Sequence, residues 1–149
     1  MPASASARGA AADDRFERLF AAARAAHARA YAPYSRFQVG AALLTDDDRV
    51  IAGCNVENAA YPQSQCAEAT AIGRMVAEGA TRISAALVIG GEVGDGMVCT
   101  PCGGCRQRLR EFMDLSGPLY VCGPEGLRLE TTLAELLPHS FGPDNLAGG

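Results

Sequence analysis

The 149-residue sequence has no tryptophan, only 6% aromatic residues and no surplus of positive charge. Its 13 Lys+Arg stand against 17 Asp+Glu, a net charge of −4. Neither attraction for a polyanion nor a set of stacking rings therefore speaks for a nucleic-acid binder. No stretch reaches the roughly 18 to 20 uninterrupted apolar residues of a membrane-spanning helix, because Arg and Asp break every Ala-rich run. Residues 1–12 are rich in Ala, Ser and Gly but lack the basic start and strongly apolar block of a secretory signal. They read as a disordered leader before a single domain over residues 13–149. The chain as a whole reads as soluble and cytoplasmic, with no membrane partner. Its six cysteines then face a reducing compartment and are read as thiols or metal ligands, not disulfides.

What is present, 48% hydrophobic residues, supports one real core. Phe16, Leu19, Phe20 and Ala23 recur at helical spacing between Asp13 and Ala30, with an Asp to cap the start and Pro33 to block continuation. Phe37–Thr45 and Val50–Val56 read as strands of an antiparallel hairpin turned at Asp46–Asp48. Cys66–Glu78 reads as a helix closed by Gly79. Ile83–Ile89 is almost wholly apolar, as a central strand covered on both faces would be. Cys102–Leu115 reads as a helix beginning just after Pro101. Leu119–Cys122 and Leu127–Glu130 are strands joined by a Gly-Pro-Glu-Gly turn, and a short helix lies near Leu133–Leu137. Helical crossovers flanking an apolar strand make this an α/β chain, a three-layer α-β-α sandwich around a mixed sheet of about five strands.

Cys102 and Cys105, in Thr-Pro-Cys-Gly-Gly-Cys-Arg, share one side of a helix start, where the positive end of the dipole favours thiolate. Cys66, separated from Cys102 by 35 residues, opens a second helix. Two such helices on one side of a sheet can gather three sulfurs around a tetrahedral Zn²⁺ and leave its fourth position open for catalysis. Glu68 leaves the same turn as Cys66 and can shuttle protons. Cys-Ala-Glu followed by Pro-Cys-x-x-Cys resembles the signature of zinc-dependent deaminases. Two blander readings stand beside it. The thiols could be ordinary buried cysteines, or a closed structural site completed by Cys99, Cys54, Cys122, His27 or His139. Cys99, three residues before Cys102, could also replace a ligand.

With these residues in place, the chain closely resembles homotetrameric cytidine deaminases over nearly its whole length after the leader. The match is carried by YAPYSRFQVGAALL (Tyr31–Leu44), GCNVENAAY (Gly53–Tyr61), CAE (Cys66–Glu68), PCGGCRQ (Pro101–Gln107) and ELLP (Glu135–Pro138). The resemblance implies one Zn²⁺ per subunit on Cys66, Cys102 and Cys105, with Glu68 as catalytic proton shuttle. It implies hydrolysis of cytidine and deoxycytidine to uridine and deoxyuridine, a zinc-bound hydroxide attacking C4 and ammonia leaving, in pyrimidine salvage. Phe37 would stack on the pyrimidine, Asn55 and Glu57 would hold the ribose hydroxyls, Val56 would belong to the same substrate-binding set, and the Ala67 backbone would meet the base carbonyl. In a homotetramer Tyr61 would reach a neighbouring subunit's sugar and Phe141 would cap another subunit's site.

One departure bears on the metal. Many relatives carry an arginine directly after the glutamate, where it hydrogen-bonds the thiolates; this chain has Ala69. The two helix N-termini and a further donor, Gln65 or an arginine elsewhere, are expected to supply that stabilisation. Three rival functions are a deaminase of aminonucleoside antibiotics, a polynucleotide editor, and a zinc-stabilised interaction module without catalysis. A carboxylate at Glu57 beside the sugar, which would repel a phosphate, favours the free nucleoside.

Overall fold

The computed structural model describes residues 5–146. In chain order the elements are α1 (Ala5–His27), β1 (Val39–Thr45), β2 (Val50–Cys54), α2 (Ala67–Ala77), β3 (Ile83–Gly90), α3 (Gly103–Phe112), β4 (Pro118–Gly123), β5 (Gly126–Thr132) and α4 (Leu133–Leu136). The strands form one sheet in the order β2-β1-β3-β4-β5. The β3–β4 pair, joined through α3, is parallel, and every other neighbour is antiparallel. The expected order of elements and the mixed sheet are both present.

Side-chain alternation divides the core into two layers. On one face Leu19 and Ala23 of α1 pack on Ala42, Leu44, Ala85, Leu87, Ile89 and Tyr120. On the other, Ala71, Ile72 and Met75 of α2 and Leu109 of α3 pack on Leu43, Ile51, Ala86, Leu119 and Val121. β3 is buried throughout except at Ser84, as its unbroken apolar run requires. The hairpin closes where Asp48 takes a left-handed φ of 66°, which a short polar side chain tolerates. Helix α2 ends before Gly79, at φ 91°, the left-handed cap its sequence calls for.

Several boundaries differ from the sequence reading. Helix α1 begins at Ala5, inside the expected leader, because alanine is the strongest helix former and extends the turn backwards; residues 1–4 of that leader lie outside the described residues. β1 begins at Val39, so Phe37 belongs to the preceding loop. β2 ends at Cys54, and Val56 instead makes isolated bridges to Tyr31 and Gln65. α3 stops at Phe112 because Met113 turns extended and bridges Ile83.

One close approach fixes the height of α2 over the sheet. A β-carbon at Gly53 on β2 would stand 2.5 Å from the Ala71 amide nitrogen. Glycine there lets the helix that begins with Cys66, Ala67 and Glu68 settle directly on β2.

Candidate active site

Cys66 is the N-cap of α2 and Cys102 the N-cap of α3, both extended and neither spending its side chain on capping. Cys105, in the first turn of α3, is fully buried. Because the two helices lie on the same face of the sheet, the three sulfurs come within 4.8 Å of one another, and Cys66 Sγ faces Cys102 Sγ at 4.0 Å. A tetrahedral zinc with Zn–S bonds of about 2.3 Å sets its sulfurs about 3.8 Å apart, so the donor set fits the ion. Among the described residues only these three sulfurs converge in this way. Cys99, Cys54, Cys122, His27 and His139 do not join them.

The charge environment is uneven. Cys102 is drawn below the ordinary thiol value, first by the Cys105 amide and also by that of Gly104, both at the N-terminus of α3. Cys66 and Cys105 are pushed up, chiefly by burial and further by the nearby Glu68 carboxylate. Sulfurs gathered beside a carboxylate and reluctant to ionise alone are a ligand set that a divalent cation satisfies. Of the donors expected to stand in for an arginine at Ala69, the α3 amides act on Cys102 alone. No arginine side chain in the described hydrogen bonds reaches a thiol. Arg106 instead donates to Pro101 O at 2.7 Å, Leu136 O at 2.7 Å and Thr100 Oγ1 at 3.0 Å, fastening the loop that delivers Cys102.

Glu68, only 5% exposed, stands in the wall of a cavity of about 310 Å³ together with Cys66, Cys102, Ala67, Phe37, Asn55 and Glu57. These expected site residues come from α2, the start of α3, the loop before β1 and the stretch after β2. Asn55 Oδ1 accepts the Val39 amide and its Nδ2 donates to Phe37 O, both at 2.8 Å. Glu57 Oε1 accepts the amides of Tyr34 and Ser35 at 2.9 and 3.1 Å, and Oε2 accepts the Ser35 hydroxyl. The Ser35 hydroxyl, then the Ser35 and Tyr34 amides, hold this carboxyl below its ordinary value.

Three further expected residues do not line this cavity; two of them, Tyr61 and Phe141, are those expected at a neighbouring subunit's site. Val56 turns an exposed side chain away while its amide and carbonyl pair with Gln65 at 2.9 and 2.8 Å; residues paired this way alternate sides, which sends Asn55 and Glu57 inward and Val56 outward. Tyr61 is 71% exposed and lines an adjoining hollow with Tyr34, sharing Glu57 and Ser64 with the cavity. Phe141 lies in a separate surface hollow with Gln107 and Glu111, its carbonyl accepting Gln107 Nε2 at 2.9 Å. The sequence reading gave no role to Val39, Ser64 or Thr100, which also line the cavity. Ser64 and Gln65 enter because Gln65 bridges Val56, a pairing that leaves no periodic trace.

The comparisons with known proteins agree with this geometry. Residues 13–116 match the family model described as cytidine and deoxycytidylate deaminase zinc-binding region. A cytidine deaminase of Sporosarcina psychrophila is 42% identical over 131 residues, covering 88% of this chain and 94% of its own. One from Mycobacterium tuberculosis is 44% identical over 121 residues, covering 81% and 85%. The crystal structure of cytidine deaminase from Burkholderia pseudomallei superposes with a TM-score of 0.76 at 41% identity, covering 84% of this chain and 98% of that one. With three sulfurs spaced for zinc and a buried glutamate beside them, the chain belongs to the zinc-dependent cytidine and deoxycytidylate deaminase family.

Proposed function

We propose that this chain hydrolyses cytidine and deoxycytidine to uridine and deoxyuridine with release of ammonia, as a cytoplasmic enzyme of pyrimidine salvage. The observation that carries the reading is the Glu68 carboxylate, buried beside the three-sulfur cluster and facing the cavity that Phe37, Asn55 and Glu57 also line. Zinc on Cys66, Cys102 and Cys105 supplies, when bound, Lewis-acid activation of water.

The chain's own residues do the rest. Glu68 accepts a proton as water adds to C4 and delivers it to N3; it then carries the proton of the new C4 hydroxyl to the amine, so that C4=O forms, the C4–N bond breaks and ammonia leaves. Its shielding from solvent keeps that proton in the site. The Phe37 ring offers a face for the pyrimidine, and the Ala67 amide, without an acceptor inside its own helix, offers a donor to the base carbonyl. Asn55 retains one N–H and one lone pair beyond its two bonds, and Glu57 has used three of about four acceptor positions. Each can take a sugar hydroxyl. A phosphate beside the Glu57 carboxylate would be repelled, which favours a nucleoside. In a homotetramer, Tyr61 and Phe141 would be free to complete neighbouring sites.

The test is ammonia release and ultraviolet change when purified, zinc-analysed protein meets cytidine, with Glu68→Ala alongside. Turnover by the parent and none by the variant is the expected result. A zinc-loaded parent inert towards both nucleosides would overturn the proposal and favour a zinc-stabilised interaction module.

A further inference from the structure

Ser35 does not line the 310 Å³ cavity but stands in the turn before Phe37, exposed in the adjoining hollow with Tyr34, Tyr61 and Glu57, and its hydroxyl touches two of the residues that face inward. It donates to Glu57 Oε2 and accepts the Phe37 amide at 3.0 Å, which uses both its donor proton and an acceptor position. The Ser35 amide adds a bond to Glu57 Oε1 at 3.1 Å. On its other side Phe37 is held through its carbonyl by Asn55 Nδ2 at 2.8 Å. Glu57, Ser35, Phe37 and Asn55 are thus one chain of hydrogen bonds, and the Ser35 hydroxyl is its central link.

We infer that Ser35 is a positioning residue that couples sugar recognition at Glu57 to base stacking at Phe37, an inference that rests on the function proposed above. The hydroxyl fixes the rotation of the carboxylate, so that its remaining lone pair meets a sugar hydroxyl, and sets the backbone from which the Phe37 ring projects. Ser35 touches neither the thiols nor Glu68, so its effect falls on binding and not on proton transfer. Removal of an interaction made equally in the ground and transition states raises KM and leaves kcat.

The test is steady-state deamination of cytidine by the zinc-loaded parent, Ser35→Ala, Ser35→Thr, Glu57→Gln and the double variant Ser35→Ala/Glu57→Gln, each checked for zinc content and thermal midpoint. Ser35→Ala is expected to raise KM on the order of tenfold, the scale of one hydrogen bond to a charged group, with kcat within about threefold of the parent. Ser35→Thr restores KM because it restores the hydroxyl. In the Glu57→Gln background the alanine substitution adds less than it does alone, since the two act through one bond. A fall in kcat at unchanged KM, full additivity with Glu57→Gln, or parental kinetics in a folded, zinc-replete Ser35→Ala would each overturn the coupling. A parent inactive on cytidine would overturn the proposed function and the coupling with it, whereas an active parent with an unaffected Ser35→Ala overturns the coupling alone.

Discussion

Cys66 and Cys102 face each other at 4.0 Å, each the N-cap of its own helix. A metal between them joins the starts of α2 and α3, two elements that the chain separates by β3. Stripping zinc with a chelator should therefore lower the thermal midpoint as well as activity. A ligand present at 100 times its dissociation constant contributes about 2.7 kcal/mol. Calorimetry with and without restored zinc measures this, and Cys105→Ser should lose the response. An unmoved midpoint in protein proved metal-free would refute the tie between the helices.

Glu68→Gln keeps the shape of the side chain and removes its base. Turnover is expected to fall by about 10²- to 10⁴-fold while zinc content stays near one per chain on the proposed stoichiometry. Metal analysis beside the ammonia assay separates the two effects. A variant with parental kcat would remove Glu68 from the proton path.

Arg106 spans three anchors, Pro101 O, Leu136 O and Thr100 Oγ1, and lysine can reach at most part of that fork. Arg106→Lys should loosen the segment that presents Cys102 and weaken zinc binding on the order of tenfold, as loss of outer support to a metal site does. Competition with a chromophoric chelator reads the affinity. Equal affinity in the two proteins would contradict this role.

A methyl group at Gly53 meets backbone and not a flexible side-chain end, 2.5 Å from Ala71 N. Gly53→Ala is expected to cost about 1–3 kcal/mol of stability and, because α2 must lift, to reduce kcat/KM as well. Urea unfolding and kinetics on one preparation test both. Lost stability with parental kinetics would show that the helix start tolerates the displacement.

Asp95 closes the loop after β3. Its Oδ2 accepts the Glu92 amide at 2.7 Å and its Oδ1 the Met97 amide at 2.8 Å, and Arg128 Nη1 donates to Oδ1 at 2.6 Å. These contacts, led by the Glu92 amide, hold the carboxyl below its ordinary 3.8. A depressed carboxyl stabilises the fold above its unfolded value and loses that contribution as pH falls through its native value. The stability difference between the parent and Asp95→Asn should thus be constant near neutrality and shrink below about pH 3.8. Urea midpoints across that range give the answer. A difference that grows with acid would reverse the assignment.

Much of the fold was legible because local pattern and tertiary role coincide. The unbroken apolar run at Ile83–Gly90 could satisfy itself only with a layer on each face, and it received both. Phe37 was not legible in the same way. Read as the first residue of a strand, it lies in the loop before β1, half-buried against the cavity, because nothing in an apolar residue's identity tells a core position from a recognition surface. Ser35, inside the Tyr31–Leu44 segment that carries the resemblance, was given no role of its own in the sequence, since a serine in a turn is ordinary until its neighbours across the fold are known.

The sequence by itself determined the kind of chemistry. The spacing of Cys66, Glu68, Cys102 and Cys105 places each at or beside a helix start, and that much follows from local geometry. Only the tertiary structure decided that the two helix starts meet, that Cys99 stays outside the cluster, and that Val56 points away while Asn55 and Glu57 point in. The physical reason is range: helix starts and strand alternation arise from residues a few positions apart, whereas the approach of α2 to α3 is set by the sheet beneath them and by the packing of both helices on it.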